Sequence, residues 1–327
     1  MLYKKIQALF HPERYHGWGR TKKYFEGWYY KVLTADENHA FAFIPGIAMD
    51  DDGNRQAFIQ ILDGKKQTAD YIKFPADEFS SRSDKFQTKI AGNTFELDQI
   101  TLNLPYASGV LQFRNTVPWP NYWYSPGIMG PYSFVPFMEC YHGILSLDHE
   151  ITGVMKIDQT EIDFSGGRGY IEKDWGHSFP SAYIWMQSNH FSKTEISFKA
   201  SVAKIPWIGS SFTGFIAGLY FDNKLIQFTT YNSTELIRSF ADPEKVELIL
   251  ENKKYRLEVL AYRDHATELA SPIAGFMDGR ISESMNSKME IKLQEKGSGN
   301  VLFHDTGRNT ALEVAGKIEE IMTDGNK

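Results

Sequence analysis

The chain contains very little cysteine, since Cys140 is the single cysteine among 327 residues. One cysteine excludes an internal disulfide and a cysteine-based zinc cluster, and it favours a reducing compartment. Long apolar runs are missing as well, so the sequence predicts no transmembrane helix. The first ten residues carry positive charge but lack the apolar stretch of a signal peptide. These absences predict a cytoplasmic protein.

Basic stripes and familiar catalytic signatures are also absent. The formal net charge is -6 and the Lys and Arg residues are scattered, so nucleic acid is excluded as a partner. The 9 histidines show no His-x-His or His-Glu-x-x-His spacing, and the sequence therefore predicts no metal site. Gly-x-Ser-x-Gly, Walker and Gly-x-Gly-x-x-Gly motifs are not found. These absences exclude the commonest classes of hydrolase, nucleotide-binding protein and dinucleotide-binding protein. The sequence does not determine the oligomeric state.

Aromatic residues are abundant, and short runs of alternating apolar and polar residues recur along the chain. Aromatics make up 14% of the residues, which suits wide β-surfaces or an apolar pocket. Period-two alternation between turn signals predicts antiparallel strands, for example at 26–32, 40–44, 57–62, 100–104, 109–113, 246–250 and 255–259. No long amphipathic helix is predicted, although residues 311–322 fit either a helix or a strand and loop. The expected fold class is all-β.

The length favours two domains, because a single hydrophobic core usually stops growing below 327 residues. We place them at 1–178 and 179–327, with one large β-domain as the alternative. Residues 115–137 interrupt the strand pattern with five prolines among Trp and Tyr residues. Such a loop either packs against the body of the protein or forms a lid over something apolar.

The segment 166–180 is the most informative part of the sequence, because it places two carboxylates, a histidine and three aromatic rings between glycines. If it is extended, Tyr170, Glu172 and Asp174 share one face. Two acids two residues apart raise one another's proton affinity, which is one way to keep a carboxyl group protonated near neutral pH. His177 fits either a general acid or base, or a structural role at the turn after Gly176.

Two further segments offer candidate binding residues. The strand after the central motif places these side chains on one face: Tyr183, Trp185, Gln187, Asn189 and Phe191. They fit a pocket for a large apolar ligand with a polar handle, or equally a ladder that stabilises the sheet. Glu26 shares strand parity with Trp28 and Tyr30. If that face points inward, the acid form of Glu26 is favoured; if it points outward, Glu26 is a solvated charge.

Several motifs resemble the tocopherol cyclase family. They are Glu26–Lys31, Gly169–Gly176 with Ser178–Pro180, Trp185–Gln187, and the late Pro272, Gly275, Leu312, Glu313 and Gly316. The resemblance covers most of the chain and implies two lipocalin-like antiparallel β-barrel domains, as in related carotenoid hydratase-like proteins. The plant cyclases carry a plastid transit segment, and this sequence begins almost directly at the shared motifs. The resemblance therefore implies a bacterial-type member, whose substrate need not be a tocopherol precursor.

The chemistry implied by the resemblance is protonation of a prenyl alkene, followed by capture of the carbocation by a phenol oxygen to close a chromanol ring. A hydratase-type variant is included, and no cofactor is required. Glu172 or Asp174 is the implied acid and His177 the implied relay. The implied substrate-binding residues are Glu26, Trp28, Tyr30, Trp175, Tyr183, Trp185, Gln187 and Asn189.

Other interpretations stay open beside the cyclase, and one of them is a structural or interaction protein whose cavity is filled by its own side chains. A non-catalytic carrier would use the same cavity for a hydrophobic or prenyl-lipid ligand, because fold alone does not decide function. In either case a transient contact with a membrane surface, made to collect the lipid, is an open partner hypothesis. Alternatively Asp174 caps a turn, and Glu172 forms a structural ion pair with Lys173 or Arg168.

Overall fold

The computed structural model describes residues 2–324, and strands dominate them. Helix α1 spans Leu2–Leu9, and short 3-10 helices cover Ala76–Glu78, Gly130–Phe134 and Ile318–Glu320. The strands are β1 Tyr24–Leu33, β2 Ala40–Met49, β3 Arg55–Asp63, β4 Thr68–Pro75, β5 Phe79–Ser81, β6 Gln87–Ile90, β7 Asn93–Glu96, β8 Gln99–Asn103, β9 Ala107–Arg114, β10 Cys140–Ile157, β11 Thr160–Asp163, β12 Arg168–Gly176, β13 Ala182–Ser188, β14 Ser197–Trp207, β15 Ser210–Phe221, β16 Lys224–Thr229, β17 Glu235–Ala241, β18 Lys245–Glu251, β19 Tyr255–Tyr262, β20 Thr267–Ile273, β21 Phe276–Glu295 and β22 Val301–Gly316.

The strands form two large sheets. The first has 12 strands in the order β4-β3-β2-β1-β12-β10-β9-β8-β7-β6-β5, with β11 paired to β10. The second has 10 strands in the order β16-β15-β14-β13-β22-β21-β19-β18-β17, with β20 paired to β21. The all-β prediction is confirmed. Within residues 2–324 neither strand order closes on itself, so closure into lipocalin-like barrels stays a prediction.

The strands expected from alternation are present in the structure. Six of the seven predicted runs lie within a strand, namely β1, β2, β3, β9, β18 and β19, and the run 100–104 extends one residue beyond the end of β8. The ambiguous stretch 311–322 is the end of β22 followed by the 3-10 helix Ile318–Glu320. Helix α1 was not expected, and it has only 8 residues. In the part of the chain that is described, no helix has the length and apolar character to cross a bilayer.

The chain divides into two compact units. The first contains the residues up to Phe179 and the later segment Leu269–Arg280; the second contains Pro180–Glu268 and the residues from Ile281 onward. The predicted ranges 1–178 and 179–327 did not include this return of the chain. The returning segment is tied to the first unit because Ala270 N donates to Gln60 Oε1 at 2.9 Å and Gly275 N donates to His177 O at 2.5 Å.

Each sheet buries one set of alternating side chains in a core of its own unit. On β1, Trp28, Tyr30 and Val32 belong to the first core, as does Ile171 on β12. On β13 the even-numbered residues Ala182–Met186 belong to the second core. A fully buried apolar side chain of this size contributes roughly 1.5–3 kcal/mol relative to an exposed one. The opposite faces of β12 and β13 are therefore left for the polar residues of the central motifs.

One histidine lies inside the first core. His149 on β10 is fully buried, and its ring centroid lies 4.5 Å from that of Phe113. Its cross-strand partner is Gly169, and a Cβ atom there would collide with the imidazole ring. Its Nε2 atom has no hydrogen-bond partner among the described residues. Burial, assisted by the charge of Arg168, lowers the pKa of His149 to about 3.

This histidine predicts a loss of stability in mild acid. The folded-state pKa lies below the ordinary value of 6.5, so the stability is present above pH 6.5 and is lost as the pH falls towards 3. Between pH 6 and 4 we expect the free energy of unfolding of the native protein to fall faster than that of His149→Phe, by about 1.4 kcal/mol per pH unit. Urea titrations at several pH values measure both slopes, and parallel slopes would contradict the prediction.

Candidate functional site

The two acids of the central motif lie on one face of β12. Glu172 is buried, Asp174 is partly exposed, and the Tyr170 hydroxyl donates a short hydrogen bond to Glu172 Oε2. Burial and the charge of Glu172 raise the pKa of Tyr170, so the phenol stays a neutral donor. The three side chains meet because residues two apart on a strand point in the same direction.

The imidazole that contacts both acids is His142, which the sequence analysis did not select. It lies on β10 directly opposite Asp174 in the antiparallel register. His142 Nδ1 is 2.7 Å from Asp174 Oδ1, and Nε2 is 3.5 Å from Glu172 Oε2. A single sequence contains no signal for this pairing, because bulges shift the β10–β12 register further along the two strands.

Side-chain exposure rises along this chain of groups. The exposed fraction is 6% for Glu172, 14% for His142 and 24% for Asp174. The carboxyl group of Glu172 is thus nearly inaccessible to water, whereas that of Asp174 is partly accessible. The imidazole of His142 lies between them. We call Tyr170, Glu172, His142 and Asp174 the acid relay. Its arrangement suits proton transfer between a buried carboxyl group and the surface.

The same residues also have a metal-binding potential. One ligand atom each from His142, Glu172 and Asp174 lies within 4.8 Å of the others. Carboxylate and imidazole ligands suit several divalent cations. His142 Nδ1 is hydrogen-bonded to Asp174, whereas Nε2 lies 3.5 Å from Glu172 Oε2 and has no hydrogen-bond partner among the described residues. The prediction that the protein has no metal site stays a prediction.

His177 lies after the end of β12 and is half exposed. Its backbone N–H donates to Glu139 O at 3.0 Å, and its Nε2 is 3.9 Å from Glu139 Oε1. Burial, with the nearby charges of Lys23 and Arg20, lowers the pKa of His177. His177 thus lies at the turn after Gly176, as the structural interpretation expected. Its role as a proton relay stays a prediction.

Glu26 and Lys173 form a second, fully buried cluster on the opposite face of the sheet. Lys173 Nζ lies 2.5 Å from Glu26 Oε1 and 2.7 Å from His16 Nδ1, and it also donates to the backbone carbonyls of Pro12 and Arg14. The other Glu26 oxygen accepts from the Tyr24 hydroxyl at 2.5 Å, and Glu26 also accepts the backbone N–H groups of residues 16 and 17. Each charge in this cluster is therefore paired and hydrogen-bonded.

This pairing decides the ionisation of Glu26. Burial alone raises the pKa of Glu26, but the Lys173 ammonium offsets burial and holds the pKa below its ordinary value. Burial and Lys173 lower the pKa of His16, so a neutral imidazole accepts from the ammonium. The inward orientation was one of the two expected cases. Its consequence is corrected here, because Lys173 favours the charged form of Glu26 rather than the acid form.

The predicted aromatic residues of the first unit accompany Glu26, not Glu172. Trp28 and Tyr30 are fully buried, and Lys173 Nζ lies 4.9 Å from the Trp28 ring and 4.6 Å from the Trp175 ring. The register pairs Tyr29, not Trp28, with Glu172. Trp28, Tyr30 and Trp175 therefore do not share a surface with the acid relay, and their substrate-binding role stays a prediction.

The structural ion pairs considered for the central motif are not the ones that form. Lys173 pairs with Glu26 across the other face. The Arg168 guanidinium pairs with Asp148, which is fully buried. Glu172 is contacted by a phenol and an imidazole instead.

The predicted residues of the second unit lie on β13 or just beyond it. Tyr183, Trp185 and Gln187 are buried on the face opposite the second core, and the Tyr183 hydroxyl donates to Glu313 Oε2 at 2.6 Å. Asn189 follows the strand and is also buried. The same face carries two buried charged residues that the sequence motifs did not reveal: Lys199 is the cross-strand partner of Gln187, and Glu283 pairs with Glu313, which pairs with Trp185. The aromatic and amide surface expected here is thus more strongly polar than predicted.

A cavity of about 820 Å³ opens in the first unit, away from the acid relay. Phe86 and Phe113 form apolar parts of its lining, and Arg14, Glu96 and Arg114 are among its charged residues. None of the predicted site residues lines it. Its size falls within the range of small-molecule pockets, so it is a binding site candidate in its own right.

Comparison with known proteins places the chain in a family. Residues 110–316 match the family described as tocopherol cyclase-like. The match covers more than half of the chain and contains the whole acid relay. The chain belongs to the tocopherol cyclase-like family. The resemblance seen in the sequence motifs is thereby confirmed.

Tocopherol cyclase-like relatives occur in plants. The chain is 26% identical over 193 residues to "Probable tocopherol cyclase, chloroplastic" of Oryza sativa subsp. japonica and 24% identical over 192 residues to "Tocopherol cyclase, chloroplastic" of Zea mays. Each alignment covers 55% of this chain and 40% of the relative. The chain thus spans less than half the length of the curated relatives that it matches.

The fold is shared with a solved protein. Crystal structures of CghA, one of them with Sch210972, match with a TM-score of 0.53 and cover 93% of this chain and 89% of that chain. The sequence identities are 11% and 10%. This likeness shows a common fold and nothing about the reaction.

Proposed function

We propose that the protein is a cyclase that protonates a prenyl alkene, so that a phenol oxygen of the same substrate closes a chromanol ring. A hydratase-type variant, in which water captures the cation, uses the same first step. Family membership supports a cyclase-type reaction. The acid relay is the observation that carries the proposal, because it places a nearly buried carboxyl group in contact with an imidazole and a phenol.

In the proposed step Glu172 donates its proton to the alkene carbon and a tertiary carbocation forms. The phenol oxygen then attacks the cation and loses its proton. That proton returns to Glu172 through His142 and Asp174, so the reaction is an isomerisation that consumes no cofactor. His142 is suited to the return because its Nδ1 is hydrogen-bonded to Asp174, and its Nε2, which has no hydrogen-bond partner among the described residues, lies 3.5 Å from Glu172 Oε2. Burial of Glu172 keeps water away from the cation.

Aromatic faces stabilise a developing cation through their quadrupoles. On the face of the first sheet that carries the relay, Tyr29 is buried and pairs with Glu172, and Tyr170 contacts it. These two rings are the aromatic groups that we add to the predicted set. The predicted substrate-binding roles of Tyr183, Trp185, Gln187 and Asn189 in the second unit stay predictions. The two lipocalin-like barrels and a prenyl-lipid ligand belong to the same proposal.

Incubation of the purified protein with a prenyl hydroquinone in D₂O tests the reaction. We expect a ring-closed product of the same elemental composition, with one deuterium on the alkene carbon that accepted the proton. Mass spectrometry and NMR locate the deuterium. A parallel reaction with a chelator tests the metal-binding potential of the relay. Recovery of unchanged substrate would contradict the cyclase, and loss of activity on chelation with recovery on adding a divalent cation would contradict the relay mechanism.

A non-catalytic carrier for a prenyl or other hydrophobic lipid is the second candidate function. The cavity of about 820 Å³ supports it, because that volume is typical of ligand pockets. Phe86, Leu97 and Phe113 are the apolar part of a lining that is otherwise charged or amide, so the cavity suits a lipid with a polar head. For a carrier we expect native mass spectrometry to show a bound lipid that remains chemically intact. Gln112→Trp, which fills the cavity from an exposed position, should then abolish retention of the lipid, whereas Glu172→Gln should leave it unchanged.

A further inference from the structure

The loop between β9 and β10 displays aromatic rings to solvent. From Asn115 to Met138 the sequence contains no charged residue. Five of its aromatic side chains are exposed, with exposed fractions of 51% for Tyr122, 80% for Trp123, 57% for Tyr124, 47% for Phe134 and 53% for Phe137. Exposed apolar residues scattered singly are ordinary, but a cluster without charge usually marks an interaction surface. We call these five residues the aromatic patch.

The tip of the loop is a tight, ordered turn. Tyr122 and Ser125 exchange backbone hydrogen bonds, with N–O distances of 3.2 and 3.0 Å, so that Trp123 and Tyr124 occupy the two central positions. The Tyr122 and Tyr124 rings stack with centroids 5.5 Å apart, and the Trp123 ring lies 5.5 Å from Tyr124, edge to face. The rings therefore support one another while they point away from the protein.

The loop is also anchored from below. Trp119, Ile128 and Met129 are buried, which fixes its inner side in the protein. Asn121 Nδ2 donates to Phe10 O at 2.7 Å, and Asn121 Oδ1 accepts from Gly127 N at 3.2 Å. The expected alternatives were a packed loop and a lid, and this segment combines a packed inner side with an exposed outer side. The buried residues on the inner side of the loop are sufficient to pack it against the protein. The exposed rings are therefore not needed for packing.

Helix α1 continues the surface. Phe10, just after the helix, lies edge to face against Phe134 with centroids 6.3 Å apart. The sequence of the helix has two lysines and no acidic residue, and Lys4 Nζ lies 3.9 Å from the centroid of the Trp18 ring. Ile6 of the helix is 52% exposed. A cationic helix beside an uncharged aromatic loop is complementary to the surface of an anionic bilayer.

We propose that the aromatic patch and α1 dock this protein onto the headgroup region of a bilayer that contains anionic lipid. Trp and Tyr rings have an apolar body and a polar tip, and they favour the boundary between hydrocarbon and water. The turn with Trp123 at its tip would insert only to this boundary, so docking requires no membrane-spanning segment. The docking surface goes beyond the proposed cyclase and does not depend on it.

Vesicle flotation tests the docking. We compare the intact protein with the triple variant Tyr122→Ser, Trp123→Ser, Tyr124→Ser on vesicles of phosphatidylcholine alone and with phosphatidylglycerol. The intact protein should float with the anionic vesicles, and its partition coefficient should fall about tenfold or more in the triple variant. The matched control is Ile208→Ser, which removes a side chain that is 79% exposed in the second unit and should leave partitioning unchanged.

Three results would overturn the proposal. They are no flotation of the intact protein, equal flotation of the triple variant, and flotation that Ile208→Ser reduces as strongly as the triple variant does. Sedimentation velocity tests whether the patch serves self-association instead. If the intact protein forms a dimer, does not bind vesicles, and becomes monomeric in the triple variant, the patch is a dimer interface. Circular dichroism confirms that the variants keep their strands, which is expected because the altered side chains are exposed.

Discussion

Glu172→Gln should reduce ring closure by a factor of about 10² to 10⁴, the usual contribution of a positioned general acid. The glutamine preserves the size of the side chain and still accepts the hydrogen bond of Tyr170, but it has no proton to give to an alkene. The loss should appear in the turnover rate rather than in substrate affinity, because the proton is transferred in the transition state. Product formation from a prenyl hydroquinone under saturating conditions measures it.

Other variants separate the acid from its support. Asp174→Asn and His142→Gln should each cause a smaller loss and change the pH profile of the rate, because they interrupt the return of the proton rather than its donation. Glu161→Gln is the matched control, since that glutamate is exposed on β11, and it should leave the rate unchanged. Full activity of Glu172→Gln would remove the proposed acid, whatever the effects of the other two variants.

Lys173→Met should destabilise the folded protein by about 3–5 kcal/mol, the typical cost of leaving one charge of a buried pair without its partner. In the native protein, Lys173 Nζ lies 2.5 Å from Glu26 Oε1, and both side chains are fully buried. The substitution also removes the donor to the carbonyls of Pro12 and Arg14, which ties the segment before β1 to the sheet. Urea titration followed by fluorescence and circular dichroism measures the free energy of unfolding.

The double variant Glu26→Gln, Lys173→Met should regain a large part of the loss, because no uncompensated charge remains in the core. Lys66→Met is the matched control: its partner Asp158 lies 3.2 Å away, but both side chains are 60% exposed, and little change in stability is expected. If Lys173→Met were as mild as Lys66→Met, the buried pair would not hold the segment in place.

Local patterning predicted the strands well. Runs such as 40–44 and 255–259 alternate strictly, and a half-buried strand is the element that accommodates period-two alternation. Helix α1 escaped prediction because eight residues provide only two turns, too few for a distinct helical period. The attachment of Leu269–Arg280 to the first unit was not predictable either, because it depends on hydrogen bonds between residues that are more than two hundred positions apart, such as Gln60 and Ala270.

The candidate site was predicted in part. Glu172 and Asp174 are neighbours on a face because their spacing is local to one strand. His142 joined them only through the β10–β12 register, which no local feature of either strand encodes. Trp28 and Trp175 were grouped with Glu172 because the family resemblance implied that they bind the substrate. The pleat instead places them on the opposite face, beside Lys173.

The sequence by itself determined the all-β class, the family and the pair of acids on β12, because alternation and local motifs act over only a few residues. The tertiary structure decided which imidazole bridges the acids, that Lys173 keeps Glu26 charged, and which aromatic rings reach solvent. Those outcomes depend on strand register, burial and loop anchoring, and each of these arises from contacts between residues that are distant in the chain.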